Sequence, residues 1–373
     1  MKQHIYSLLV LLVTALLLSC QNSNETLPLL RLGHSPHDHH SPFYIAAMNP
    51  DYFKENGGIY LKEITYQQEY RLVSGNRDLA TVIVDSSTGG KELIRKLSEE
   101  YFDLSFGGFP ALLHFIDQGS PIKILAPVMT EGAGLLVAKD LPVSNWQEFV
   151  TYAQQRSNPV KIGYKTAVSV QNLIFEHALQ ASRVPYATST SDPNAKIIGI
   201  NLHGPKNLIP ALENGLIDGF VIMQPYLALA EEKGVGKTIT MLSDMPPDGK
   251  WKGIPCCALA ANDNYTQSHP EVAEAMLILM LRANRFITEK PVESAKLVSR
   301  WLQVPESVEK NALSTITFTT DYTETWNNGV DFWTHSMIQS GRLQNKVKEA
   351  YEEGLLEQEI YNRNLYDKAR SQL

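Results

Sequence analysis

GPKNLIPALENGLIDGFVIMQPYLALAEEKGVGKTI, residues 204–239, decides the reading of this chain. An earlier stretch, GGKELIRKLSEEYFDLSFGGFPALLHFIDQGSPIKI at residues 89–124, aligns with it without a gap at an offset of 115 residues. Gly89 meets Gly204, Leu93 meets Leu208, Asp103 meets Asp218, Pro110 meets Pro225 and Gly119 meets Gly234. In both copies an amphipathic helix ends, an Asp-containing turn follows, and a short apolar strand (FDLSF or IDGFV) leads to a Pro that opens a second helix. A Gly stops that helix and another strand begins. Repeated helix–strand–helix is common to α/β chains; two such units of one length predict two similar α/β lobes. Each lobe then presents a strand end and a helix start to a shared cleft, where ligands of open α/β sheets sit.

The chain has 373 residues, enough for two lobes with cores of their own. Hydrophobic residues make up 43% and charged residues 20%, ordinary values for a globular protein. A net charge of −7, with acids and bases interspersed, argues against nucleic acid as a partner.

Residues 1–19 read as an export signal: Lys2 and His4 precede an apolar run, Ile5–Leu18, too short to span a bilayer comfortably. The run ends Leu17-Leu18-Ser19-Cys20, which resembles the bacterial lipobox. That resemblance implies lipidation of Cys20, a tether over residues 20–26, and a chain anchored outside the cytoplasmic membrane. The alternative is an ordinary secretory signal with a chance Cys. Cys256 and Cys257 are then the remaining cysteines, and neighbours in sequence form no disulfide framework.

Along the chain, residues 27–33 read as a first strand, and a polar, His-dense loop follows at 34–41. Pro42 opens a helix interrupted at Pro50. Residues 59–66 and 80–84 read as strands, and 131–139 as a crossover strand. Ser144 is the expected cap of a helix at 143–155, with Glu148 in its first turn. From Pro270 onward the pattern is helical, and a charged tail at 343–368 is expected to wrap the first lobe.

The order of these pieces resembles the type II solute-binding proteins of ABC importers, in particular the taurine, nitrate, alkanesulfonate and thiamine-precursor binding group. The matching pieces are the lipobox at Cys20, PFYIAAMNPDYFKENGGIYLKEI, FDLSFGGFPALLHFIDQGSPIKIL, IGYKTAVSVQNLIFEHAL, GLIDGFVIMQPYLALAEEKG and HPEVAEAMLILMLRANRFITEKPVESAKLVSRWL. The resemblance implies an α/β, two-lobed periplasmic-binding-protein-like fold. Lobe 1 would comprise 27–128 and 240–373, and lobe 2 would comprise 129–239. It further implies no catalysis, no cofactor, a monomer, a small-molecule ligand and an ABC permease as partner. The sequence departs from the group in its opening loop Gly33–His40, in the segment 67–87, which looks inserted, and at Pro255-Cys256-Cys257. Those cysteines resemble, weakly, the cysteine-rich motif of pyrimidine synthases of thiamine biosynthesis, which share the fold and use iron.

Four of the ten histidines fall in the opening loop: His34, His37, His39 and His40. Imidazoles at that spacing suit Zn, Ni, Cu or Fe, and the loop leaves the first strand at its cleft end. His34, His39 and His40 are therefore ligand candidates, with all four histidines as metal candidates; a solvated surface loop is the plain alternative. Gly107, Gly108 and Phe109 precede a helix whose backbone N–H groups suit an anion, or mark a turn that needs Gly. Gln224 holds the matching place in lobe 2. Tyr164, Lys165 and Thr166 end a strand and offer stacking, charge and a hydroxyl, or simply a capping loop. Glu131 stands near a crossover, facing a cationic group or water. Cys256 and Cys257 are either small buried apolar residues or ligand or metal contacts. The phosphate-loop look-alike at 234–238 lacks its first Gly, since Glu231 stands there. Three functions follow: capture of a sulfonate, nitrate or pyrimidine-like solute; reception of a metal or metal chelate through His34–His40; or metal-dependent pyrimidine-precursor synthesis.

Overall fold

A computed structural model describes residues 27–87 and 90–373; the leader, the lipobox and Cys20 lie outside the described residues. The first strands are β1 (Leu29–His34), β2 (Ile59–Thr65), β3 (Glu69–Ser74), β4 (Arg77–Ser86) and β5 (Leu104–Gly108). Next come β6 (Ile122–Glu131), β7 (Ala133–Ala138), β8 (Val160–Tyr164), β9 (Tyr186–Ala187) and β10 (Ile197–Asn201). The last are β11 (Gly219–Met223), β12 (Gly236–Met241), β13 (Cys257–Asn262) and β14 (Ile316–Phe318).

They form two sheets. One has eight strands in the order β14-β6-β13-β5-β1-β4-β3-β2, and the other six in the order β12-β7-β11-β8-β10-β9. Each sheet is built around parallel pairings, β4–β1–β5 in the first and β10–β8–β11 in the second, with an antiparallel strand laid beside the last member. The chain passes from the first sheet to the second at Glu131-Gly132, both in the left-handed region with φ of 68° and 64°. It returns between Met241 and Cys257.

The repeat seen in sequence is a repeat in space. Strand β5 and strand β11 occupy the same places in the two alignable stretches, each followed by a helix, Phe109–Asp117 and Tyr226–Glu232. The shared Asp explains the shared geometry. Asp103 Oδ2 accepts the backbone N–H of Arg31 at 2.7 Å, and Asp218 Oδ2 accepts that of Lys161 at 2.7 Å. Each Asp backbone N–H in turn donates to the carbonyl of the same partner, Arg31 or Lys161. One carboxylate thus locks each strand start to its parallel neighbour, satisfying a donor that the ladder leaves over.

Two expectations are corrected, and the segment at 67–87 gains its place in the fold. The segment at 67–87 is an antiparallel meander, β3–β4, that joins β2 to β1 and extends the first sheet; β4 pairs with β1 over six residues. The helix cap falls on Asn145, whose side chain accepts Glu148 N–H at 2.9 Å, while Ser144 donates its own N–H to the Glu148 carboxylate at 2.7 Å. The loop at 34–41 is not a solvated surface loop: His34, His37, Asp38, His39 and His40 are all buried, the last three in a single 3₁₀ turn. The C-terminal helices lie on the first sheet, where Ile124 of β6 bridges to Tyr361. Among the described residues no helix is long and apolar enough to cross a membrane.

Candidate functional site

The carboxyl end of β1 delivers the histidine turn into the crevice between the sheets. Tyr44, in the helix Ser41–Met48, holds the turn from beneath: its hydroxyl donates to Ser35 O at 2.6 Å and accepts His37 N–H at 3.4 Å. His34 is part of that support. Its ring packs against Phe43, Tyr44 and Trp301, and burial drives its pKa down to about 3.

The next histidines face inward. Ser35 N–H donates to His40 Nδ1 at 2.9 Å, so the ring proton of neutral His40 sits on Nε2. His40 stacks on Phe106 and against His37, and burial keeps it neutral, opposed by the Cys257 thiol toward which Nε2 points. His39 has the reverse arrangement. Its Nε2 lies 3.2 Å from the carbonyl of Gly132, which only accepts, so Nε2 carries the proton and Nδ1 keeps a lone pair. That lone pair faces sulfur: Cys256 Sγ is 3.5 Å away and Cys257 Sγ 3.7 Å. Cys257 opens β13 and Cys256 precedes it, with a shift of register at that point, which lets both thiols turn to the same side. Contact with Cys256, aided by His39 and His40, holds the Cys257 thiol well below its ordinary range; the same contact, with burial, pushes Cys256 up.

The second sheet supplies the opposite wall. Lys165 follows β8, is buried, and points its Nζ at Met223 Sδ at 3.5 Å. Burial lowers its pKa, while the two cysteines oppose that shift. Ser169 caps the helix Val170–Ala181, and Gln171 reaches from its first turn to Cys256 Sγ at 3.9 Å. Gln171 Oε1 and His37 Nδ1 are buried without a hydrogen-bond partner among the described residues. His37, His40, Lys165, Gln171, Cys256 and Cys257 line one cavity of about 30 Å³, room for one or two waters.

The sequence candidates divide accordingly. Lys165, Thr166, His40, Gly108, Cys256 and Cys257 stand on the cavity wall, together with His37. His39 lies behind that wall against the sulfurs. Gly107 faces the helix Gly90–Ser98: a Cβ there would lie 2.3 Å from Ile94 Cδ1, so Gly serves packing. Phe109 gives its N–H to Cys256 O at 2.9 Å and its ring to Trp326, so neither is free for a ligand. Gln224 Oε1 caps the following helix by accepting Ala228 N–H at 3.1 Å, and Nε2 reaches Thr315 at 3.4 Å. Tyr164 is buried beside β10, where its carbonyl accepts Leu202 N–H. Glu131 accepts from Thr317 Oγ1 at 2.8 Å at the sheet edge. Sequence reading passed over Gln171 and Ser169 as site residues; a Ser–x–Gln at the helix start directly after the Tyr164–Thr166 strand end was the available signal.

One further pair lies under the turn. Asp38 and Glu309, both buried, face each other within hydrogen-bond reach. Burial raises both carboxyls, Glu309 to about 8, so the pair keeps a proton at neutral pH.

Two mixed sheets, linked by crossovers and closing over a buried polar crevice at their strand ends, define a periplasmic-binding-protein-like fold of type II. The chain matches the NMT1-like family over residues 23–303 and belongs to it. MJ1180, a protein of Methanocaldococcus jannaschii, is 34% identical over 139 residues, covering 36% of this chain and 96% of that protein. The zinc-bound ligand-binding component of an ABC-type import system from Staphylococcus aureus superposes with a TM-score of 0.68 at 15% identity, over 92% of this chain and 99% of that one. The periplasmic nitrate-binding protein NrtA from Synechocystis PCC 6803 gives 0.66 at 15% identity, over 93% of this chain and 89% of that one. The family and fold expected from the sequence are thus upheld.

Proposed function

We propose that the chain is the extracytoplasmic solute-binding component of an ABC importer, taking a small ligand into the crevice by lobe closure and handing it to a membrane permease. The observation that carries this reading is that buried polar side chains from both sheets converge on one cavity: His37, His40, Cys256 and Cys257 from the first, Lys165 and Gln171 from the second. Interlobe placement is what closure on a ligand requires. Folds of this kind bind nitrate in NrtA and carry zinc in the Staphylococcus aureus component, which supports small inorganic solutes as the class. The small interior space favours a ligand of a few atoms. No carboxylate stands among the residues described on the cavity wall, and Lys165 is there, which favours an anion or a group bound through soft donors. The leader and the Leu17–Cys20 pattern support lipid anchoring at Cys20 on the outer side of the membrane.

Native mass spectrometry of protein purified from its own host tests this, paired with small-angle scattering before and after ligand removal. One small solute per chain and a larger radius of gyration after stripping are expected. Formation of a product from pyrimidine-precursor substrates with added iron would replace the binding reading with an enzymatic one.

A further inference from the structure

We propose that His39 Nδ1, Cys256 Sγ and Cys257 Sγ bind one thiophilic metal ion, zinc(II) or copper(I), as the solute itself, with a fourth position open to the crevice. This deepens the solute-binding reading and rests on it for the ion's role as cargo. These three buried side chains can each turn a ligand atom to within 4.8 Å of the other two. Tetrahedral zinc with bonds of about 2.3 Å to sulfur and about 2.0–2.1 Å to nitrogen places nitrogen and sulfur about 3.6 Å apart. The His39 nitrogen stands 3.5 Å from one sulfur and 3.7 Å from the other.

The orientation of His39 is fixed in the way metal-binding imidazoles are. Its remote N–H is committed to the carbonyl of Gly132, so the near nitrogen offers its lone pair to the point the thiols face. His40 cannot compete in this form: its Nδ1 is taken by Ser35 N–H.

Charge and access complete the argument. Both cysteines line the crevice, so an ion held there keeps its fourth position open to it. Two thiolates neutralise zinc(II), and the buried Lys165 then adds one positive charge that an anion in the fourth position would balance. With copper(I), the thiolates, the ion and Lys165 balance without a fourth ligand. Soft sulfur donors with one imidazole select these two ions over calcium and magnesium. The ligands come from the first sheet, and Lys165 and Gln171 from the second. Closure would therefore bury the loaded site under the second lobe.

The test uses the full mature chain, reduced and stripped with chelator under nitrogen. Zinc(II) alone and copper(I) alone are titrated against a competing chromophoric chelator, and cobalt(II) serves as a spectroscopic stand-in for zinc. Expected are one ion per chain, a thiolate-to-cobalt charge-transfer band, and at least a tenfold loss of affinity for each of His39→Ala, Cys256→Ser and Cys257→Ser. His335→Asn, an exposed histidine on the helix Glu324–Gln339, keeps the stoichiometry and the band. Circular dichroism of each variant separates lost ligands from lost folding; alkylation of both thiols in folded wild-type protein supplies a second block that needs no mutation. The inference is overturned if wild-type protein with two titratable thiols binds neither ion at micromolar concentration. It is also overturned if binding survives alkylation, or if Cys256 and Cys257 prove to be joined as a disulfide in protein from the host. An organic solute bound in metal-free protein from the host would end the metal inference and leave the solute-binding reading standing. Absence of any solute and of any scattering change would end both.

Discussion

Asp103 and Asp218 hold equivalent posts in the two halves of the molecule, each tying the first residues of a strand to its parallel neighbour through a carboxylate and a backbone N–H. Beyond these anchors the halves part. In the first, β5 runs out through Gly107-Gly108 to a helix start sealed by Cys256, so its tip carries the thiols and the histidine turn. In the second, β11 runs out through Met223 to Gln224, which folds back to cap its own helix and contacts Thr315 and the Asp38 backbone. One tip therefore carries the candidate site and the other braces it. A duplicated scaffold keeps its carboxylate latch, while the strand ends, free of scaffold duty, diverge.

The largest effect expected concerns the brace. Glu309 and Asp38 meet where the helix Glu306–Leu313 packs on the helix Tyr226–Glu232 of the second half. The folded carboxyl of Glu309 titrates at about 8 and the unfolded one near its ordinary 4.5. Between those values the folded state holds a proton that the unfolded state has released. Stability is therefore fully present below the ordinary carboxyl range and falls as pH rises toward 8, at up to about 1.4 kcal/mol per pH unit. Urea unfolding of wild-type protein across that window should show a progressive loss of stability, and Glu309→Gln should flatten it. A flat wild-type profile would show that the pair does not share a proton.

The anchors themselves come next. Asp103 also grips the Arg31 guanidinium, with contacts of 3.1 and 2.8 Å, whereas Asp218 holds only a backbone N–H among the described contacts. Asp103→Ala should cost about 2–3 kcal/mol, tempered by the partial exposure of Arg31, and Asp218→Ala about 1 kcal/mol. Equal costs in chemical unfolding would mean that the bidentate contact adds nothing. The two glycines at the first tip should then separate stability from binding. Gly107→Ala drives a Cβ into Ile94 and should cost about 1–2 kcal/mol while leaving solute affinity unchanged. At Gly108 the nearest atom to a new Cβ is Cys256 O at 3.9 Å, so Gly108→Ala should fold normally and weaken binding by occupying the crevice.

The scaffold was legible in sequence because it rests on periodicity and on an Asp that recurs at one offset. The site was only partly legible because strand ends converge through tertiary packing. Nothing in the spacing of Gly33–His40 shows that His34 turns back into an aromatic cluster while His39 turns forward to the sulfurs; that division is set by Tyr44, Trp301 and the Gly132 carbonyl, all distant or on other elements. Gln224 looked like a ligand amide because the repeat places it beside Phe109. Its capping role depends on side-chain direction, which alignment does not carry. Cys256-Cys257 reads equally as packing or as chemistry until the fold closes the separation of 217 positions between Cys256 and His39.

The smallest effect on stability should be the most informative about closure. Arg342, just beyond the helix Glu324–Gln339 on the first half, meets Glu176 in the helix Val170–Ala181 on the second, at 3.4 Å, and His177 meets Ser336 at 2.9 Å beside it. Both charged side chains are partly exposed, at 34% and 26%, so solvent screens the pair and Arg342→Ala should lower unfolding stability by less than about 1 kcal/mol. The contact spans the two halves, so under the proposed lobe closure its loss falls on the open–closed equilibrium rather than on folding. A shift of that size should weaken solute binding up to about fivefold and enlarge the solute-free molecule in scattering, at an unchanged unfolding midpoint. If Arg342→Ala instead lowers the midpoint and leaves affinity alone, the two halves behave as one rigid body and the pair is ordinary surface structure.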